Sequence, residues 1–260
     1  IVTHLRQLAR AYEQALAEQR RLGNQLIYDL RQYYPVALTL FAHVHSLIAL
    51  AFLEQYPTPE DAAKLSYDNF RDFLHGQHYT HIHKRLDLLY SHLQVPMPCA
   101  SVQVGHVEHV KMLIPILRML FRQKQTLTKA MTKVFLTHPE ADWWRTFPGT
   151  KGPLTPARLL AWIGDDRQRF PTAESLQALA GTVPVTRRSG KSKSVEFRTA
   201  CSHALRSAAD DLARQSVRHS GWAQAYFRQQ IDRGHSTPRA YRALANRWMK
   251  IVWTLWQRRE

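Results

Sequence analysis

Apolar residues in the first 34 positions recur at steps of three, four or seven: Leu5, Leu8, Tyr12, Ala15, Leu22, Leu26 and Leu30, with Arg, Glu and Gln between them. That period puts one apolar stripe on one helix, suited to a coiled coil or to packing inside its own domain. Pro35 ends the run, and a second helix is predicted over Val36–Gln55. Tyr56-Pro-Thr-Pro-Glu-Asp61 sets prolines and early acids where a helix starts, and helices follow at about 60–74 and 80–93. Pro96 and Pro98 break the pattern before a long helical stretch from Val102 to Leu136, which Pro115 is placed to kink. Few glycines and no alternating strand pattern make this half all-helical.

A Pro/Gly turn, Phe147-Pro-Gly-Thr-Lys-Gly-Pro-Leu-Thr-Pro-Ala157, opens the second half and runs into an apolar helix, Ala157–Ile163. Such a turn lets backbone approach closely and points free helix N–H groups at an anion. Residues 184–199 form a polar, cationic loop with room for a short hairpin, and helices return at about 199–217, 221–233 and 237–257. On the last, Tyr241, Leu244, Trp248, Ile251, Val252, Leu255 and Trp256 form an apolar set expected in the core. Arg239, Arg242, Arg247, Lys250 and Arg258 form a basic set that reads as a phosphate track. The expected fold class is all-α, with a coiled-coil region and a short β-hairpin near 184–198. The expected division is a coiled-coil and helical linker region over 1–144, then a second domain over 145–260.

Charge sharpens the second half. Of 36 Lys+Arg and 20 Asp+Glu, residues 1–144 hold 15 and 12, a net of +3, and residues 145–260 hold 21 and 8, a net of +13. A field that lopsided attracts polyanions, without by itself separating DNA from RNA or anionic lipid. Cys99 and Cys201 are too few and too far apart for a disulfide framework, which makes a reducing cytoplasm the default compartment. No apolar run reaches the ~18 residues of a membrane span, and no membrane partner is expected. The chain begins at Ile1 rather than Met and reads as a fragment of something longer.

Three kinds of chemistry are worth weighing. His75, His78, His81 and His83 lie close together, and His106 and His109 are three apart, but no Cys pair or fixed carboxylate accompanies them, so no metal site is expected. Asp165-Asp166 and Asp210-Asp211 are adjacent pairs, and neighbours on a helix point in different directions. Ser189 sits in Arg187-Arg188-Ser189-Gly190-Lys191, with Lys193 close behind. A serine attacking a phosphodiester needs surrounding positive charge and room for close approach, which arginine forks and Gly190 supply. From composition alone, the segment is equally a basic loop that happens to contain a serine.

An ordered set of motifs separates those readings. Phe147-Pro-Gly, Gly152-Pro-Leu-Thr-Pro-Ala-Arg-Leu-Leu, Gly164-Asp-Asp-Arg-Gln-Arg-Phe-Pro171, Ala180-Gly-Thr-Val-Pro-Val, Arg188-Ser-Gly-Lys and Phe197-Arg-Thr-Ala-Cys-Ser-His-Ala-Leu-Arg206 follow one another, then Ala223-Gln-Ala-Tyr-Phe, Arg233-Gly and Arg242-Ala-Leu-Ala. Together they resemble the C-terminal domain of the insertion sequence 110 family of transposases. The resemblance implies a DNA recombinase that cleaves and rejoins strands through a serine nucleophile, which falls on Ser189, and that is directed by a structured non-coding guide RNA. Arg188 and Gly190 flank that serine; on this reading Arg187, Arg188, Lys191 and Lys193 are expected to steady the phosphate, and Lys151, Arg198 and Arg206 to contact nucleic-acid backbone. Its partners are DNA at the element ends and target, the guide RNA, and further copies of the chain, in a dimer or tetramer through the coiled coil. The family's Mg²⁺ is held by an N-terminal resolvase-like domain with an Asp-Glu-Asp-Asp site, which these residues do not contain. The alternative is a non-catalytic RNA- or DNA-binding remnant of such an enzyme.

Overall fold

The predicted helices form, two of them divided by capping residues. The computed structural model describes residues 1–80, 82–94, 104–190 and 192–259; the side chains at 187, 188, 192 and 193 lie outside the description as well. His81, Pro96, Pro98, Cys99 and Lys191 therefore fall outside the described residues. In chain order the elements are α1 (Val2–Tyr33), α2 (Ala37–Leu40), α3 (Leu47–Gln55), α4 (Pro59–Ala63), α5 (Tyr67–Gly76), α6 (Ile82–Leu93), α7 (Val104–Leu136) and α8 (Ala141–Trp144). They continue with α9 (Leu154–Ile163), α10 (Ala173–Leu179), β1 (Val185–Ser189), β2 (Ser192–Glu196), α11 (His203–His219), α12 (Gly221–Asp232) and α13 (Thr237–Arg258). The fold is mainly helical, with one two-stranded antiparallel sheet among the described residues.

The single helix expected over Val36–Gln55 is two. Phe41 turns extended, and Ser46 starts α3 by accepting a hydrogen bond from the Ala49 N–H at 3.4 Å. The helix expected at 60–74 divides for the same reason. Thr58 caps α4 through the Asp61 N–H (3.1 Å) and Ser66 caps α5 through the Asn69 N–H (3.2 Å). A short polar side chain that satisfies an orphan N–H favours a helix start over continuation. Thr172 starts α10 in the same way, a helix that the apolar period did not signal.

The chain divides into two compact units, one of Gln14–Thr126 and one of Ile1–Glu13 with Leu127–Glu260. The stripe on α1 is covered by the chain itself: Leu5, Tyr12, Ala15, Leu22, Leu26 and Leu30 are buried and Leu8 is partly so.

In the first unit Phe52 meets Phe41, Phe70 and Phe73 edge-on at 5.8, 6.1 and 5.6 Å. The same unit buries Asp29, whose two carboxylate oxygens meet Nδ1 of His106 and Nδ1 of His109 at 2.8 and 2.7 Å. A carboxylate only accepts, so each ring presents an N–H to it. The sequence reading saw the two histidines without a carboxylate, because Asp29 lies more than seventy residues away on another helix. Asp29→Ala strips both rings of their acceptor and is expected to lower unfolding free energy by about 2–4 kcal/mol, read from urea denaturation.

In the second unit α11 packs on α9, α12 and α13, and α10 packs on α13. Tryptophans fill the seam. Trp144 approaches Trp256 (6.4 Å), Phe147 meets Trp248 edge-on (6.2 Å), and Trp248 donates its Nε1–H to Ser216 Oγ at 2.8 Å. At the centre lies a charge. Arg158 on α9 is 2% exposed, pairs with Glu13 at 2.7 Å and with Asp211, hydrogen-bonds Ser207 Oγ at 2.9 Å, and stands over the Tyr12 ring. Burial alone would lower its pKa, but Glu13 and Asp211 outweigh that and raise it.

Candidate nucleic-acid interface

The cationic loop folds back as a hairpin because its sequence permits a tight reversal. Ser189 pairs with Ser192, leaving two positions to turn the chain, and Gly190 takes φ +55°, a left-handed conformation that glycine adopts without strain. The β-branched residues Val185, Thr186 and Val195 suit the flanking strands. Ser189 is exposed on the last pair of the ladder. The next pair sets Arg188 opposite Lys193, and the one after sets Arg187 opposite Ser194.

Behind the hairpin, the chain is tied down before α11 begins. Phe197 has two guanidinium groups near its ring, Arg206 and Arg242, each 4.2 Å from the centroid. Arg206 also donates to the Arg198 carbonyl, and Arg198 Nε donates to the Val183 carbonyl at 3.3 Å. Ser202 N–H bonds the Leu179 carbonyl at 2.8 Å, and its hydroxyl caps α11 through Leu205 N–H at 3.2 Å. Of the residues expected to touch phosphate, Arg206 is thus engaged in clasping the hairpin's base, and Arg198 is half-buried beside it.

A basin of about 420 Å³ opens at this base, lined by Gly181–Pro184, Val195–Arg198, Tyr226, His235, Arg239, Arg242, Ala243, Asn246 and Arg247. Four of these residues are arginines and one, Glu196, is acidic. His235 Nδ1 is buried with no hydrogen-bond partner among the described residues, a cost that an incoming polar group would relieve. The basic set read along α13 is thereby sorted: Arg239, Arg242 and Arg247 join Arg198 at the basin, while Lys250 lies in a second groove with Ile251 and Leu255. Ile251 and Leu255, expected in the core, are half-buried there. Phe197, Tyr226 and His235 were not singled out from sequence as site residues. Phe197 and Tyr226 lie in the ordered motifs Phe197–Arg206 and Ala223-Gln-Ala-Tyr-Phe, and His235 had no such signal.

The Pro/Gly turn does not join this cluster. Lys151 is exposed ahead of α9 and does not line the basin. Gly149 has φ +82°, and a Cβ there would lie 2.6 Å from Gln215 Cβ on α11. Its glycine serves close packing of the turn on α11, with Thr150 fully buried beside it. Gly149→Ala adds backbone strain to that overlap and is expected to cost about 2–4 kcal/mol of stability, seen as a lower urea midpoint.

The adjacent carboxylates part company. Asp166 accepts from Gln168 N–H at 3.0 Å, and Asp211 is spent on Arg158. Asp210 is largely buried with Oδ1 unpartnered among the described residues; desolvation pushes its carboxyl pKa up, against the pull of Arg214 and Arg242. A carboxyl raised on folding stabilises fully below its ordinary range near 3.8, and that contribution is lost as pH climbs through the raised value. Asp210→Asn is therefore expected to be more stable than the parent at neutral pH. The gap should close as pH falls below 4, checked by thermal melts across pH.

Residues 144–228 match the profile of the Transposase IS116/IS110/IS902 family. The chain is also similar to a Streptomyces coelicolor protein described as the mini-circle transposase for IS117, 32% identical over 254 residues. The alignment takes in 93% of this chain and 60% of that relative, so the chain spans about three-fifths of the relative's length.

Proposed function

From the match of residues 144–228 to the IS116/IS110/IS902 transposase family and the likeness to the IS117 protein, we propose that this chain belongs to that family, that it carries the serine-bearing domain of a DNA transposase, and that Ser189 is the nucleophile. One observation carries the reading: Ser189 is exposed at the tip of a hairpin, one pair beyond Arg188 and Lys193, and the hairpin's base lines a basin with four arginines.

Ser189 Oγ attacks a DNA phosphorus, the Oγ–P bond forms, and the P–O3′ bond breaks. The 3′ oxygen leaves as a hydroxyl, taking up a proton to match the one that the serine gives away. One phosphodiester replaces another, so a different 3′ hydroxyl can reverse the step and rejoin the strand without a nucleotide cofactor. Arg187, Arg188, Lys191 and Lys193 would balance charge on the pentacoordinate phosphorus. Gly190 leaves the tip open. Lys151, Arg198 and Arg206 would add backbone contacts, alongside Arg239, Arg242 and Arg247.

The guide RNA and a homo-oligomer belong to this proposal too, since two strand exchanges require at least two nucleophiles. The α1 stripe is already covered by its own chain, so pairing through it would require that face to open. Mg²⁺ is proposed only as the resemblance implies it, in a resolvase-like domain that residues 1–260 do not contain. Among the described residues no three His, Cys, Asp or Glu side chains are grouped to hold a metal ion, and no step here runs through one.

The test is chemical mapping. Full-length protein is incubated with element-end DNA, denatured, and digested with nuclease and chymotrypsin. The nucleotide-linked peptide should contain Ser189. A nucleotide on any other side chain, or tight binding with no adduct, would overturn the assignment and favour a remnant that only binds.

A further inference from the structure

We propose that the groove between α12 and α13 seats one unstacked nucleobase of a single-stranded nucleic acid, and so reads strandedness beside the basin. Trp222 is 46% exposed, a large apolar surface to leave in water. It is nevertheless held in place. Its edge-on partner at 5.3 Å is Trp248, itself buried and fixed to Ser216 Oγ, and Tyr226 stacks along it at 5.9 Å with the ring planes 27° apart. A ring fixed on one side and open on the other is a ready stacking surface.

The groove of about 600 Å³ beneath these rings has Ile251 and Leu255 as apolar walls and Arg247 and Lys250 as cations, with no acidic residue among its lining. Arg247 also stands 5.8 Å from the centre of the Tyr226 ring. Apolar walls with unopposed cations suit a nucleotide, whose base is flat and apolar-faced and whose phosphate is anionic. Tyr226 and Arg247 line both this groove and the arginine basin. A strand whose phosphates lie in the basin can thus turn its next base onto Trp222. A duplex keeps its bases stacked inside and cannot do so unless one is extruded.

The inference rests on the reading that this chain binds nucleic acid, and the experiment separates the two. Binding of the 260-residue chain is measured by fluorescence anisotropy with labelled oligothymidylate of ~20 nucleotides, longer than one such site covers, and with a duplex of equal length. Trp222→Ala should weaken oligothymidylate binding about tenfold and leave duplex binding within about twofold, and Trp222→Phe should recover most of the loss. Recovery by phenylalanine also shows that the alanine effect is not misfolding. Equal loss on both probes overturns the proposal. So does no loss on either, which is the result if the groove seats a protein segment. Tight duplex binding with no oligothymidylate binding by the parent chain sinks the base seat and leaves the transposase reading intact. Binding of neither probe removes both.

Discussion

Replacing Ser189 with alanine is expected to abolish covalent protein–DNA adducts and lower strand transfer by at least ~10³-fold, with DNA affinity within about twofold of the parent. The separation of chemistry from binding follows from position. Ser189 is exposed at the end of β1, so losing its hydroxyl opens no cavity and breaks no core contact. Stability should move by less than ~0.5 kcal/mol, as for other surface changes. The cations proposed to attract DNA are elsewhere, on the strands and around the basin, and they remain. Denaturing gels with radiolabelled DNA read the adduct, and filter binding at fixed salt reads affinity. Adducts that persist at parental levels would move the nucleophile to another residue. Equal loss of binding and chemistry would make Ser189 a contact residue instead.

Arg158→Met should cost about 2–4 kcal/mol, toward the low end for breaking a buried pair because Glu13 and Asp211 keep some contact with water. Methionine fills much of the arginine stem's volume, so the loss reports charge more than packing. Glu13 would lose a 2.7 Å partner and Asp211 its ion pair, and the Ser207 hydroxyl would lose a donor. The unfavourable state is then two carboxylates facing an apolar side chain. Adding Glu13→Gln and Asp211→Asn to Arg158→Met removes those charges and should recover at least half of the loss. Urea denaturation of the parent, the single variant and the triple variant tests this. Failure of the triple variant to recover would mean that the guanidinium acts mainly by packing and hydrogen bonding.

How much of this was legible in the sequence depends on the range of the interaction. The helices on α1, α7 and α13 were visible because apolar period is a local property. The breaks at Ser46 and Ser66 were missed because a capping serine competes with an apolar run that continues across it. The hairpin was anticipated only as an option for the polar, cationic loop over 184–199, and Ser189 became conspicuous only through the ordered motifs around it. Nothing local marks Arg158 as the centre of a charge cluster, since its partners lie 145 and 53 positions away. The same holds for the basin. Arg198 and Arg242 were each read as cations for nucleic acid, but only the folded chain shows that they line one basin. Gly149 looked like a phosphate-binding glycine because open loops and close helix packing both call for a missing Cβ, and sequence does not distinguish them.

The division of the chain has a practical consequence for anyone cutting it. Ile1–Glu13 belongs with Leu127–Glu260, so everything from Gln14 to Thr126 is inserted between two pieces of one compact unit. During synthesis the first thirteen residues leave the ribosome long before the segment that completes them. A gene trimmed to begin at residue 127 would look like a tidy domain boundary, yet it would leave Arg158 without Glu13 and without the ring of Tyr12. Splicing a short flexible linker between Glu13 and Leu127 is the excision that keeps both pieces of that unit in the product.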